Sequence, residues 1–138
     1  MRRLAPLLFA ASLLGACGPG AGPGPGFGTT PLTTVSSESG ALQVAVFTDP
    51  QPPVRGTVGV RLAVTDAAGA PVTGLTVEVV PWMNAMGHGS SVSPTVTARD
   101  GGVYELSNVY LFMPGQWTLR TTLTGSSSDH ATPDFLVQ

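Results

Sequence analysis

Cysteine and lysine are the residues that this sequence most lacks. The 138 residues contain one cysteine, Cys17, and no lysine, so no disulfide can form within the chain. From Cys17 onward, four arginines stand against eight acidic side chains, which gives a formal net charge of −4. Phosphate binding needs clustered Lys and Arg. We therefore exclude nucleic acid as a partner.

The sequence also has no long apolar run. Its one continuous apolar segment is short and lies near the N-terminus. It extends from Leu4 to Leu14, directly after Arg2 and Arg3. It is shorter than the roughly 20 residues that a bilayer core requires. A positive start, a short apolar run and then small residues are typical of a secretory signal peptide. The sequence therefore predicts export.

The end of this run resembles the lipobox of bacterial lipoproteins. Leu14-Gly15-Ala16 precede Cys17, and in lipoproteins a cysteine at that position carries a diacylglycerol and becomes the new N-terminus. The resemblance predicts a signal peptide over residues 1–16. It also predicts that lipidated Cys17 anchors the protein to the outer side of a bacterial membrane, facing the periplasm or the cell surface. The competing interpretation is a buried cysteine in an ordinary N-terminal helix.

Composition divides the remainder into a tether and one domain. Residues 17–40 are rich in Gly, Pro and Ser and carry too little apolar surface to fold. Residues 41–138 alternate apolar and polar positions, as from Val58 to Val64, and no segment shows a helical apolar stripe. Turn signals separate about seven such strands, which predicts an all-β fold, an immunoglobulin-like antiparallel β-sandwich.

Counting strand reversals brings four potential metal ligands to one end of this sandwich. If every turn reverses the chain, the loop at 81–91 and the turn at 113–115 lie at the same end, and His130 lies at the other. The four ligands include every methionine after Met1. They are Met83, Met86, His88 and Met113.

The chemistry of these four side chains indicates a soft metal ion. Thioethers and an imidazole form a neutral ligand set that selects Cu(I), whereas Zn, Mg and Ca prefer His, Cys or oxygen ligands. A blue-copper centre needs a cysteine thiolate, and lipidation would remove the thiol of Cys17. We therefore expect Cu(I) at this end, shielded by the aromatic rings of Trp82 and Trp117.

An alternative interpretation gives the same side chains no metal. Methionines at the rim of a sandwich commonly fill the core, and His88 between two glycines would then bond across a turn. A further alternative is a protein-interaction module in which Trp82 and the methionines form an exposed apolar patch. The sequence shows no recognisable set of catalytic residues, because the acidic side chains are scattered along the chain and no Gly-x-Ser-x-Gly nucleophile elbow accompanies His130. We therefore expect no enzyme.

The stretch PWMNAMGHGSSVSPTVTARDGGVYELSNVYLFMPGQW, residues 81–117, resembles the YtkA-like/FixH-like family. Its members carry a Met-x-x-Met-Gly-His-Gly-like segment, a Gly-x-Tyr strand and a Met-Pro-Gly-x-Trp turn. The resemblance implies an immunoglobulin-like sandwich, a role in copper handling or oxidase maturation, and a protein partner in copper delivery. Asn84 stands where members often have proline. The family's soft-ligand positions would be Met83, Met86, His88 and Met113.

Five residues are predicted to have structural roles. The Tyr104 hydroxyl should bond back to the chain, as in immunoglobulin-like sandwiches. Pro114-Gly115 fits a turn with positive φ at the glycine, after which Trp117 packs in the core. Pro94 places its short strand at a sheet edge, because proline cannot donate to a central ladder.

Overall fold

Alternating apolar residues fold into ten β-strands. The computed structural model describes residues 26–138, so the predicted signal peptide, Cys17 and the first part of the tether lie outside the described residues. Within residues 26–138, no helix is long and apolar enough to cross a bilayer. The strands are β1 Thr33–Ser36, β2 Leu42–Asp49, β3 Gly56–Asp66, β4 Thr76–Met83, β5 His88–Gly89, β6 Thr95–Arg99, β7 Val103–Leu111, β8 Gly115–Thr124, β9 Ser128–Ala131 and β10 Asp134–Val137.

The strands form two antiparallel sheets that enclose one core. The first has the order β1-β2-β3-β7-β6, and the second has the order β10-β8-β4-β5 with β9 also paired to β8. The all-β sandwich is confirmed, with ten strands in place of about seven expected from the turn signals. The additional strands include β5 and β9, which are too short to produce a visible alternation. The strand that follows Pro94, β6, lies at a sheet edge as predicted.

The core is built from inward-facing aliphatic side chains, Met83 and three aromatic residues, Tyr104, Trp117 and Phe135. Tyr104 and Trp117 are the largest fully buried side chains in residues 26–138. The Tyr104 hydroxyl donates to the Val72 carbonyl at 3.0 Å and accepts from the Leu75 N–H at 3.2 Å. This confirms the prediction that the phenol bonds back to the chain, and it ties the segment before β4 to the core of the other sheet.

A β-bulge in β7 changes which of its residues face inward. Gly59 of β3 lies opposite both Ser107 and Asn108, because the register shifts there. Asn108 has a φ of 61°, which asparagine tolerates better than most residues. Leu106 before the bulge and Val109 after it are both buried. The extra residue therefore reverses the alternation and directs the last residues of β7 toward the core.

The folded domain begins earlier than residue 41. Strand β1 lies inside the segment predicted to be a tether and pairs with β2 from Thr33 to Ser36. Farther upstream, the Phe27 ring packs beneath the Arg61 guanidinium at 4.6 Å from its centroid. Composition did not reveal β1, because an edge strand is stabilised largely by backbone hydrogen bonds to its neighbour rather than by burial of apolar side chains.

Asp129 fastens the segment before β2 to β9. Its carboxylate accepts from the Ser39 hydroxyl at 2.5 Å, from the Ser39 N–H at 3.2 Å and from the His130 N–H at 2.9 Å. The Glu38 N–H also donates to the His130 carbonyl at 2.8 Å. These hydrogen bonds hold the pKa of the Asp129 carboxyl well below its usual range, and the bond from the Ser39 hydroxyl has the largest effect.

We predict that this contact makes stability sensitive to acid. The folded-state pKa of Asp129 is depressed, so its contribution is present above the unfolded pKa of about 3.9 and is lost as pH falls below it. Urea unfolding of wild type and Asp129→Asn at pH 6 and pH 3 measures the effect. The wild type should lose more free energy of unfolding between the two pH values than the variant. Equal losses would contradict this role of Asp129.

Candidate metal centre

The loop predicted at residues 81–91 is in part a β-hairpin. Strand β4 continues to Met83, four residues turn, and β5 returns with His88 directly opposite Met83. The Met83 carbonyl accepts from the Met86 N–H at 3.2 Å and from the Gly87 N–H at 3.0 Å. Gly87 has a φ of 68°, which glycine adopts without steric cost. The hairpin fixes the register between the first methionine and the histidine.

Met83 and His88 project from the same face of their sheet. Residues directly opposite each other in an antiparallel pair share a face, and Met83 is buried in the core at 4% exposure. His88 is exposed because it lies at the rim of that core. Its imidazole stacks on Phe112, with 5.5 Å between ring centroids and an interplanar angle of 16°. His88 therefore points over the end of the sandwich and not away from it.

Met113 reaches the same end from the other sheet. It lies in the connection between β7 and β8, which belong to different sheets, and it is half-buried against the core. The Trp117 indole N–H donates to the Met113 carbonyl at 3.0 Å. Gly115 has the predicted positive φ, 131°, and a Cβ there would lie 3.0 Å from the Met83 methyl carbon. The Met83 side chain thus extends to the turn that carries Met113.

The four potential ligands and His130 occupy opposite ends of the sandwich. Met83, His88 and Met113 lie at one end, and Met86 lies on the hairpin turn of that end with 51% exposure. His130 lies on β9 opposite Thr122, toward the other end of β8. In residues 26–138, no three His, Cys, Asp or Glu side chains lie close enough together to hold a metal ion. That Met83, Met86, His88 and Met113 bind metal stays a prediction.

The predicted shielding by Trp82 requires correction. Trp82 precedes buried Met83 in β4, so its side chain points to the outer face of the sheet. There the Arg120 guanidinium lies 3.9 Å from its ring centroid, a cation–π contact. Trp117 is fully buried and contacts Phe112 edge-on at 5.1 Å and 82°. Trp117 therefore packs in the core as predicted, whereas Trp82 does not face this end. That Trp117 shields a metal ion stays a prediction.

Phe112 is the residue of this end that sequence reasoning missed. Its ring touches both His88 and Trp117. The available signal was its position between the alternating residues of β7 and Met113. The bulge at Asn108 hid this signal, because it alters the alternation that would assign a direction to Phe112.

Asn84 attaches the hairpin to the outer face of the sheet. Its side-chain amide donates to the Thr118 hydroxyl at 3.0 Å, and that hydroxyl donates to the Asp134 carboxylate. Proline at this position would lack the amide that makes this bond. Asn84 therefore fixes the start of the turn while Met83 before it remains buried.

Comparison with known proteins decides the family. The sequence model described as YtkA-like matches residues 36–122. The chain belongs to the YtkA-like family. The match spans the hairpin, the bulge and the Met113 turn, and it confirms the resemblance identified from the sequence.

A solved structure supports the fold of this YtkA-like chain. A copper-bound variant of FetP from uropathogenic Escherichia coli strain F11 superimposes with a TM-score of 0.53 and 10% sequence identity. The superposition covers 78% of this chain and 96% of the other. At this identity the likeness establishes a shared fold. A search of curated proteins finds no significant match.

We predict that the buried and exposed methionines of this end differ in their effect on stability. Met83→Ala should lower the free energy of unfolding by about 2–5 kcal/mol, because it leaves a cavity in the core. Met86→Ala should change it by no more than about 0.5 kcal/mol, because about half of the Met86 side chain is exposed and it is not part of the core. Urea unfolding of both variants checks this. Similar losses for the two would contradict the burial described for Met83.

Proposed function

We propose that this YtkA-like protein is a non-catalytic, extracytoplasmic copper-handling protein that binds Cu(I). The observation that carries the proposal is the opposition of Met83 and His88 in the β4–β5 hairpin, at the end that also holds Met113. Met86 on the hairpin turn supplies a further thioether. The proposed ligands are therefore Met83, Met86, His88 and Met113.

The donor set fits a soft monovalent ion. Thioether sulfur and neutral imidazole carry no charge and suit Cu(I). The wall behind them consists of apolar rings, with Phe112 stacked on His88 and Trp117 buried beneath. Such a wall would keep water from one side of the ion while neutral ligands leave its net charge low. An ion held in this way would be exchanged by ligand replacement and would not take part in catalysis.

Exposure suggests an order in which the ligands act. Met86 and His88 are exposed, Met113 is half-buried and Met83 is buried. The exposed pair would make the first contacts with an incoming ion. Met113 and Met83 would then complete the site from the core side. Release to a protein partner would follow the reverse order, so the hairpin turn is the part that a partner in copper delivery would approach.

The family and the solved structure support the same function at a coarser level. The structure of similar fold is that of a copper-bound protein. At 10% identity it provides no correspondence between ligands. The case for Cu(I) in this chain therefore rests on its own sulfur and imidazole donors.

A competitive titration tests the proposal. Both sheets and the core lie within residues 26–138, so a chain from Gly18 to Gln138 contains the whole sandwich. We expect it to bind one Cu(I) in competition with a chromophoric chelator under reducing conditions. The triple variant Met83→Leu, Met86→Leu and Met113→Leu should bind at least about tenfold more weakly, since Met→Leu nearly conserves volume but removes the sulfur ligand.

The matched control for this titration is His130→Ala at the opposite end. It removes the other histidine of the chain and should leave the Cu(I) affinity unchanged. Wild-type affinity in the triple leucine variant, with thermal unfolding showing that it is folded, would refute the proposed ligands. Binding of a membrane protein without any requirement for metal would favour the interaction module instead.

The proposal includes attachment to the outer side of a membrane through Cys17. We predict that the full-length protein expressed in a bacterium partitions into the detergent phase of a cloud-point extraction, because an acyl chain contributes about 0.8 kcal/mol per buried CH₂. Cys17→Ser should move it to the aqueous phase or leave the signal peptide uncleaved. Mass spectrometry of the N-terminal peptide measures the modification directly. An unmodified Cys17 in the membrane fraction would contradict the anchor.

A further inference from the structure

His88 and Met113 reach the rim on different segments of the chain. His88 lies on β5, which pairs with β4, whereas Met113 follows β7 of the other sheet. In the part of the chain that the structure describes, no strand pairing joins β5 to residues 112–114. Backbone pairing from β8 through β4 to β5 places the hairpin near the Met113 turn, but the orientation of the exposed imidazole is left to the side chains that it contacts.

Phe112 contacts both the His88 imidazole and Trp117. One face of its ring lies nearly parallel to the His88 imidazole, at 5.5 Å and 16°. The ring also meets Trp117 at 5.1 Å and 82°, an edge-to-face arrangement that aromatic pairs prefer. Trp117 is fully buried and donates its indole N–H to the Met113 carbonyl. The exposed imidazole is thus linked through one ring to the residue that holds Met113.

We infer that Phe112 is the positioning residue of this end and holds the His88 imidazole in one orientation relative to Met113. His88 is exposed on a strand of only two residues. An imidazole in that position would otherwise sample several rotamers, and ordering it on binding would weaken the affinity. Stacking on the Phe112 ring limits the rotation of the His88 imidazole. Both imidazole nitrogens lie in the ring plane, so this contact orients the ring without using either of them.

The expected effect on metal affinity rests on the proposed function, whereas the orientation of the imidazole does not. Removing the aromatic ring should leave the fold intact and free the imidazole. If copper binds, Phe112→Leu should weaken Cu(I) binding by about threefold to tenfold, the range expected for loss of one aromatic pair. Phe112→Tyr keeps the ring and should restore both the orientation and the affinity.

The experiment compares three variants of the Gly18–Gln138 chain. Phe112→Leu removes the ring and Phe112→Tyr preserves it. Tyr110→Leu is the matched control, because Tyr110 is an aromatic residue of the same segment whose ring lies 6.4 Å from that of Phe112. Three quantities are measured for each: the NMR shifts of the His88 ring protons without metal, the Cu(I) affinity by chelator competition, and the melting temperature.

The inference predicts a specific pattern in these measurements. The His88 ring protons of the wild type should show the upfield shift of a ring stacked on an aromatic face. Phe112→Leu should abolish that shift and lower the affinity, whereas Phe112→Tyr and Tyr110→Leu should retain both. A purely structural role would lower the melting temperature without moving the His88 shifts.

Other outcomes separate the inference from the proposed function. Unchanged His88 shifts in folded Phe112→Leu would overturn the inference even if His88→Ala still weakened copper binding. Absence of Cu(I) binding in the wild type would refute the proposed function, and the NMR shifts would then decide the inference alone. Should Phe112→Leu not fold, unshifted His88 ring protons in the wild type would overturn it.

Discussion

The hydrogen bond from the buried Trp117 indole to the Met113 carbonyl fixes the point at which the chain passes between the two sheets. An indole N–H without a partner in the core would cost free energy. The carbonyl that satisfies it belongs to the β7–β8 connection. This contact therefore helps to fix the register in which β8 pairs with β4. The Met113 turn, the Phe112 ring and the β4–β5 hairpin are all positioned relative to this contact.

The second constraint is the bulge in β7. It adds one residue opposite Gly59 and so brings Val109 inward after Leu106. Without it the strand would present the opposite set of side chains at its end, because a shift of one residue exchanges the two faces. The core at this end, and the approach of Phe112 to Trp117, depend on that local irregularity. This one-residue bulge thus decides which side chains of β7 and of the segment after it lie at this end of the sandwich.

Side-chain hydrogen bonds and ion pairs connect segments on the outer faces of the two sheets. Asn84, Thr118 and Asp134 form a hydrogen-bond chain at the start of the hairpin turn. On the first sheet, Glu105 bridges Arg61 and Arg99, and Asp129 secures the segment before β2 at the opposite end. These contacts fix segments that have little apolar surface of their own.

The sequence by itself determined the fold class and the end of the sandwich at which the methionines and His88 gather. Period-two alternation and turn residues are local properties, so a count of reversals was enough to place Met113 near Met83 and His130 away from both. Only the tertiary structure decided that β1 belongs to the fold, that Trp82 faces Arg120 and that Phe112 lies against His88. Those outcomes depend on backbone pairing, on the face of a strand and on a bulge. Each of these is decided by contacts between residues distant in the sequence, which local patterns do not contain.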